Sequence, residues 1–431
     1  AVLGDPYEIV RIAALEALTA LGPKAAGASP QVTSLLADAQ PAVRREAAIA
    51  ARALGAKGAA PALTKLLTDK DTGVRVAAAR TLTSLGAAPP EATMVLLDAL
   101  VSGQTAAALD AIEGLEALGA SMPADVKARL AQAMGVGALR VRLRAAEALH
   151  AVGGAEFLTT PAGRPQKGIR STLDKALDSK DAGLTRRAVV LLGSLGKAAR
   201  PWLKHIADRA TLDPSPQIRV AATTTLGQLG PVARPMAAAL HLAKEDESRA
   251  VRTAAEGALT KVQPPPGSEI EGLIEALPKS PLTLRAMRAL AALGGNAVPA
   301  LVKRLDSADE RIADGAVRVL IQIGDPAVTA LVKALESQSP SMRRRAATVL
   351  GRVDVPARRL AQAGAGLTRL LLAATAKDVV EVRGALLRIG RPAVPSLLAA
   401  YASADASAKA RLLDAIGRIL PPAGDVLPTL L

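Results

Sequence analysis

The side chains with the most regular chemistry in this sequence are arginines and aspartates. An Arg or Lys stands directly after the first apolar residue of a recurring helical stretch at Arg11, Arg44, Arg75, Arg142, Arg219, Arg252, Arg343 and Lys409. Six residues before this cation there is an aspartate at Asp5, Asp38, Asp69, Asp213 and Asp246, and all five belong to stretches that carry the Arg. A guanidinium is a planar, permanently charged donor matched to carboxylates and carbonyls. An arginine that tracks an aspartate in this way is expected to stitch turns of the chain together, with the Asp also capping the following helix. The competing reading is a row of cations aimed at an acidic partner.

Catalytic chemistry finds no comparable pattern. His150, His205 and His241 have no metal-ligand spacing, and no pair of His at i and i+4 occurs. "GVGALR" (Gly135 to Arg140) lacks the third Gly of a dinucleotide loop. "LLGSLG" around Ser194 lacks the spacing of a nucleophile elbow. With no Cys in 431 residues, disulfides, thiolate metal sites and Cys nucleophiles are excluded. No catalytic residue, cofactor or metal ligand is therefore assigned.

The elements that position the charges follow from periodicity. Apolar-Gly pairs recur from Leu21-Gly22 to Ile389-Gly390, mostly 30–34 residues apart, with degenerate closings at Val262 and Val353 and a last one at Ile419-Leu420. Each period holds two helical patterns. The first resembles "AAPALTKLLTD" (Ala59 to Asp69), with Pro where its missing N–H costs nothing. The second resembles "VRVAAARTLTSLG" (Val74 to Gly86). Counting its first Val as position zero, apolar residues fall at 0, 4, 8 and 11, a single helical stripe, and Gly at 12 suits a left-handed stop. Half of the residues are hydrophobic but 1 % are aromatic, so Ala and Leu must fill the core. Two such helices cannot bury their stripes alone, whereas stacked pairs can.

Pro-Ala-Leu-x-x-Leu-Leu-x-Asp, then Val-Arg-x-x-Ala-Ala, then Leu-Gly resembles the HEAT repeat, above all the short bacterial form also found in phycobilin lyase subunits. The resemblance covers nearly the whole chain. It implies an all-α, right-handed α-solenoid of about 13 HEAT-like, armadillo-like helix pairs, a monomeric rod whose second helices line the concave side. The first helix of the first pair is expected upstream of Ala1. The expected divisions are 1–153, then 154–262 after a loop insertion at 154–170, then 263–431 after a Pro-rich break at Pro264 to Pro266, a candidate hinge. The glycosylases of this fold class resemble a clamp of converging Trp, Tyr, Asp and Arg. Trp202, Tyr7 and Tyr401 are too scattered to carry that over.

Charge is uneven. The chain carries +15 overall, distributed as −2 over residues 1–120, +10 over 121–262 and +7 over 263–431. The outward positions 2, 6 and 9 of the second helices nearly balance, with Arg45, Arg52, Arg80, Arg186, Arg288, Arg318 and Arg344 against Glu16, Glu113, Glu116, Glu147, Asp314 and Asp414. A nucleic-acid groove needs a continuous positive track and stacking aromatics, and neither pattern is present. The candidate contact residues are Phe157, Arg164, Lys167 and Arg170 in the insertion; Trp202, expected to be partly exposed and either to pack on the neighbouring repeat or to anchor a partner; and Arg343, Arg344, Arg345, Arg358 and Arg359 in and before the irregular segment 353–366, the densest basic region.

The expected function is a non-catalytic scaffold or adaptor binding a protein partner, of acidic character if charge decides. A nucleic-acid or other polyanion module is the alternative, and an accessory subunit of a lyase-type enzyme the second. No apolar run is long enough to span a membrane. Absence of Cys suits cytoplasm and periplasm equally.

Overall fold

A computed structural model of the chain describes residues 2–373 and 376–420. Its elements are helices, and the only bridge among the described residues is an isolated one, Thr159 with Pro165. The chain divides into two compact units, Ala1–Trp202 and Leu203–Leu431.

The first unit opens with a single helix, Glu8–Leu21, followed by five helix pairs whose second members are Pro41–Ala53, Thr72–Ser84, Thr105–Glu116, Leu139–Gly153 and Ala182–Ser194. The second unit holds seven pairs, with second members Pro216–Leu229, Arg249–Val262, Thr283–Ala292, Glu310–Ile323, Pro340–Arg352, Ala376–Ile389 and Ala406–Ile419. Each second helix thus closes one repeat of the sequence.

The stripe explains the stacking. In Pro41–Ala53 and Thr72–Ser84 the stripe residues Val43, Ala47, Ala51, Val74, Ala78 and Leu82 are buried. Within each unit the second helices of successive pairs pack on one another, with the exception of Arg249–Val262 and Thr283–Ala292. Small residues let them approach closely. A Cβ at Gly227 would stand 2.9 Å from the Cα of Ala258 on the next second helix, so only Gly fits there. The closing glycines from Gly22 to Gly390 take positive φ, except that Gly154 rather than Gly153 does so in its repeat. Where the closing is Val262, Gln263 adopts the left-handed conformation with φ 47°.

Across the Pro264–Pro266 run the two sides share part of one core, although Val251 and Ala255 of Arg249–Val262 belong to a separate cluster. Leu242, before it, belongs to the same core as Ile270, Leu273 and Leu277, after it.

Candidate functional site

The recurring arginines lie in the first turn of the second helices, Arg11 in that of the single opening helix, and those of the ladder reach back to the turn before it. Arg44 shows the full arrangement. Its Nη1 donates to the carbonyls of Asp38 and Ala39 in its own turn, at 2.8 and 3.0 Å. Its Nε and Nη2 donate to both carboxylate oxygens of Asp69 in the next turn, at 2.8 and 3.0 Å. Arg11 clamps the Asp5 and Pro6 carbonyls and reaches Asp38. Arg219 clamps those of Asp213 and Pro214 and reaches Asp246. The carboxylate thus belongs to the following repeat, 25 or 27 residues ahead.

Arg75, Arg252 and Arg343 clamp the same pair of carbonyls, but the position facing each of them holds no Asp. Arg75 takes the Thr72 hydroxyl as well. Arg142 departs further. It is buried, and its guanidinium donates to the Met134 carbonyl and the Ser171 hydroxyl. Burial lowers its pKa below the usual Arg range.

The aspartates do not cap the second helices as the sequence suggested. Asp38, Asp69, Asp213 and Asp246 accept from the backbone N–H two residues on, which is the N-cap residue itself. They form Asx turns that shape the bend before the helix, leaving the other carboxylate lone pairs for the arginine. The hydrogen bond from Arg44 holds the Asp69 carboxyl below its ordinary pKa. Asp246 receives a second cation, Arg285, at 2.9 Å, and its side chain is fully buried between the two guanidinium groups.

The outward faces of the second helices are laced across repeats. Arg80 pairs with Asp110 at 2.6 Å and with Glu113. Glu116, Arg144, Glu147 and Arg187 form one alternating chain over three successive second helices. In the second unit, Asp414 takes Arg383 and Arg418. Part of the near balance of charge seen in the sequence is therefore specific pairing, while Arg186, Arg288 and Arg318 stand exposed without an ion pair among the described residues.

The dense basic stretch dissolves in the same way. Arg345 is buried and donates to the Leu305 carbonyl and to Glu310 at 2.7 Å. Arg359 makes a two-pronged pair with Asp325, at 2.7 and 2.9 Å. Arg352 pairs with Glu381 and Arg369 with Glu336. Arg343 is turned onto its own turn, and Arg344 is half-buried. As a shared anion site this stretch is corrected: its charges are spent on separate partners in neighbouring repeats, and of the candidates only Arg358 stands exposed without an ion pair among the described residues.

Trp202 is corrected too. Its ring is 1 % exposed, and its Nε1 donates to Asp174 Oδ1 at 2.6 Å. The helical turn Gly196–Trp202 rotates it inward, where its N–H still finds an acceptor. It cannot anchor a partner from there.

The insertion behaves differently. Residues 159–165 form a small turn closed by the Thr159–Pro165 bridge. The Phe157 ring lies against the backbone of Gly153, where any Cβ would collide with it, and Lys127 Nζ sits 5.2 Å above the ring centre. Arg164, Lys167 and Arg170 project from the turn and from the first turn of the helix Lys167–Leu177, all three exposed and none in an ion pair among the described residues.

Among the described residues no group of three or more His, Cys, Asp or Glu could hold a metal ion. No described helix is long and apolar enough to cross a membrane.

Stacked helix pairs stitched turn to turn by arginine define a helical-repeat solenoid. The family described as HEAT repeats matches residues 1–83, 29–116, 270–351 and 298–387, together just over half of the sequence, and the chain belongs to this family. No curated protein matches it. Among solved structures it is similar to the karyopherin Kap121p bound to the extreme C-terminus of the protein phosphatase Cdc14p, at 13 % identity and a TM-score of 0.44, covering 96 % of this chain and 52 % of that one. Kap121p bound to Ste12p gives 13 % identity and a TM-score of 0.45 over the same shares. An engineered protein gives 21 % identity and a TM-score of 0.30, over 91 % of this chain and 98 % of its own. The chain spans about half the length of the karyopherin it matches.

Proposed function

We propose that this chain is a non-catalytic HEAT-repeat scaffold that binds an acidic segment of a protein partner on the face carrying the 154–170 insertion. The carrying observation is a contrast. The arginines of the ladder and most of those in the 343–369 stretch are committed to carbonyls or carboxylates of the chain itself, and the exposed second-helix arginines without an ion pair among the described residues, Arg186, Arg288 and Arg318, stand singly on separate repeats. Arg164, Lys167 and Arg170 are exposed and uncommitted. Cations left unpaired on a rigid scaffold steer and hold acidic partners, because no internal pair has to be broken first.

The test is affinity capture from native lysate, with and without nuclease, using the natural chain and an R164E/K167E/R170E variant. A stoichiometric protein that survives nuclease and is lost with the triple variant supports this reading. Recovery of nucleic acid alone, or a partner indifferent to the triple variant, overturns it. Nucleic-acid binding would also weaken linearly in log-log terms with added salt, and to the same extent for every sequence offered.

A further inference from the structure

Several steps of the ladder lack both the arginine and the aspartate, and at one of them both positions are apolar. The repeats ending in Thr105–Glu116 and Leu139–Gly153 start their second helices in the same register as the others, with N-caps at Gln104 and Ala138. The ladder positions are then residue 108 for the arginine and residue 136 for the facing aspartate. They hold Ala108 and Val136. The turn before Thr105 is also rebuilt, with Gly103 at φ +78°.

A cleft of about 240 Å³ opens at this step. Ala108 and Val136 line it together with Leu100, Val101, Ala133 and Val141, and no charged side chain does. Its rim is open, with Val101 62 % and Val136 73 % exposed beside the uncharged polar side chains of Gln104, Thr105 and Gln132. At another step that lacks its arginine, where Ala313 takes the place, Arg345 from the next repeat reaches in to the Leu305 carbonyl. Nothing comparable closes the cleft at Ala108.

The cleft adjoins the cationic face. Its wall, the turn from Gln132 to Ala138, meets the start of the helix Lys167–Leu177 backbone to backbone. A Cβ at Gly168 would stand 3.4 Å from the Cα of Gly135, and Thr172 donates to the Met134 carbonyl at 2.6 Å. Lys167 stands next to Gly168 at this junction and Arg170 follows within the same helical turn, and acidic groups are absent from the lining of the cleft.

We infer that the cleft between residues 100 and 141 is the anchor pocket of the docking surface, and that it receives one aliphatic side chain from an acidic segment of the partner. The carboxylates beside that side chain lie over Arg164, Lys167 and Arg170. Charge complementarity selects an acidic segment over a basic one, and the apolar lining selects an aliphatic side chain over a polar one. This inference rests on the scaffold reading above and adds the second half of the recognition element.

Two seven-residue synthetic peptides test it by fluorescence anisotropy, one with six aspartates around a central leucine and one with the same aspartates around a central serine. The natural chain is expected to bind the leucine peptide roughly tenfold more tightly, the advantage of burying one aliphatic side chain. Ala108→Arg supplies the missing ladder arginine from within and fills the cleft. It is expected to erase the leucine preference while leaving serine-peptide affinity within twofold. Val136→Asp changes an exposed residue without touching the core, so it folds even if Ala108→Arg does not. It is expected to weaken the leucine peptide at least as much as the serine peptide. Equal affinity for the two peptides on the natural chain, or a preference that persists in Ala108→Arg, overturns the inference and leaves the cationic reading standing. Binding of neither peptide overturns both.

Discussion

The sharpest consequence of the ladder is a difference between two arginines that look alike in the sequence. Arg44 and Arg75 each follow a stripe valine and each clamp two carbonyls of their own turn. Arg44 also holds Asp69 with two charge-assisted hydrogen bonds, and both side chains are mostly buried, at 17 % and 8 % exposure. Arg75 has the Thr72 hydroxyl instead. Replacing Arg44 by Ala removes four hydrogen bonds and leaves a shielded carboxylate without its cation, a loss of about 3 kcal/mol for a pair of this burial. Replacing Arg75 by Ala strands no charge and is expected to cost about 1 kcal/mol. For a cooperative unit of this size each kcal/mol shifts the midpoint by roughly 2–4 °C. In scanning calorimetry at pH 7 the transition of Arg44→Ala should fall roughly 6–12 °C, and that of Arg75→Ala roughly 2–4 °C. Both variants should bind the acidic peptides as the natural chain does. Equal depression by the two variants would refute the assignment of the carboxylate rung. Lost peptide binding with an unchanged midpoint would show that these arginines serve the partner rather than the scaffold.

Four further outcomes are expected. The Asp69 carboxyl is held below its ordinary value of 3.8 by Arg44, so its stabilisation is complete above that value and is lost as pH falls through the lower folded-state value; the melting deficit of Asp69→Asn should therefore shrink as calorimetry is carried from pH 6 towards pH 2. Trp202 is the only tryptophan, so its fluorescence should resist acrylamide quenching until the chain unfolds, and Trp202→Ala should destabilise by about 3–5 kcal/mol in urea titration. Gly227→Ala should lower stability by about 1–3 kcal/mol, since its methyl would press on the Ala258 backbone, whereas Gly257→Ala, with open space around it, should not. Arg345→Ala should lower the melting midpoint and leave acidic-peptide affinity unchanged, because that side chain is buried between Leu305 and Glu310.

The repeat itself was legible because its causes are local. A stripe at 0, 4, 8 and 11 and a glycine after it specify a helix face and its stop without knowledge of any neighbour. The direction of the ladder was not legible. Co-occurrence of Asp38 and Arg44 in one repeat does not reveal that Arg44 binds the carbonyl of Asp38 and the carboxylate of Asp69. The stretch from Arg343 to Arg369 looked like one basic field because its partners Glu310, Asp325, Glu336 and Glu381 lie roughly a repeat away in sequence. Position beside the stripe suggested a half-exposed Trp202, and the tight turn that rotates it leaves no mark in the helical pattern. The cleft did leave a signal. Ala108 and Val136 put apolar residues at both ladder positions, where the other steps lacking arginine and aspartate at Ala286 and Ala313 face Ser307 and Ser337.

The one-way order of the rungs has a consequence for how the chain is made. In each complete rung the arginine is synthesised first and its carboxylate follows 25 or 27 residues later. At 5–20 residues per second a ribosome delivers that stretch in roughly one to five seconds. Contacts so close in sequence carry little loop-closure cost and form fast. At each complete rung the emerging repeat can therefore latch onto the one before it while the next is still being translated, so that the first three repeats, tied by two successive rungs, can close in the order in which they are made.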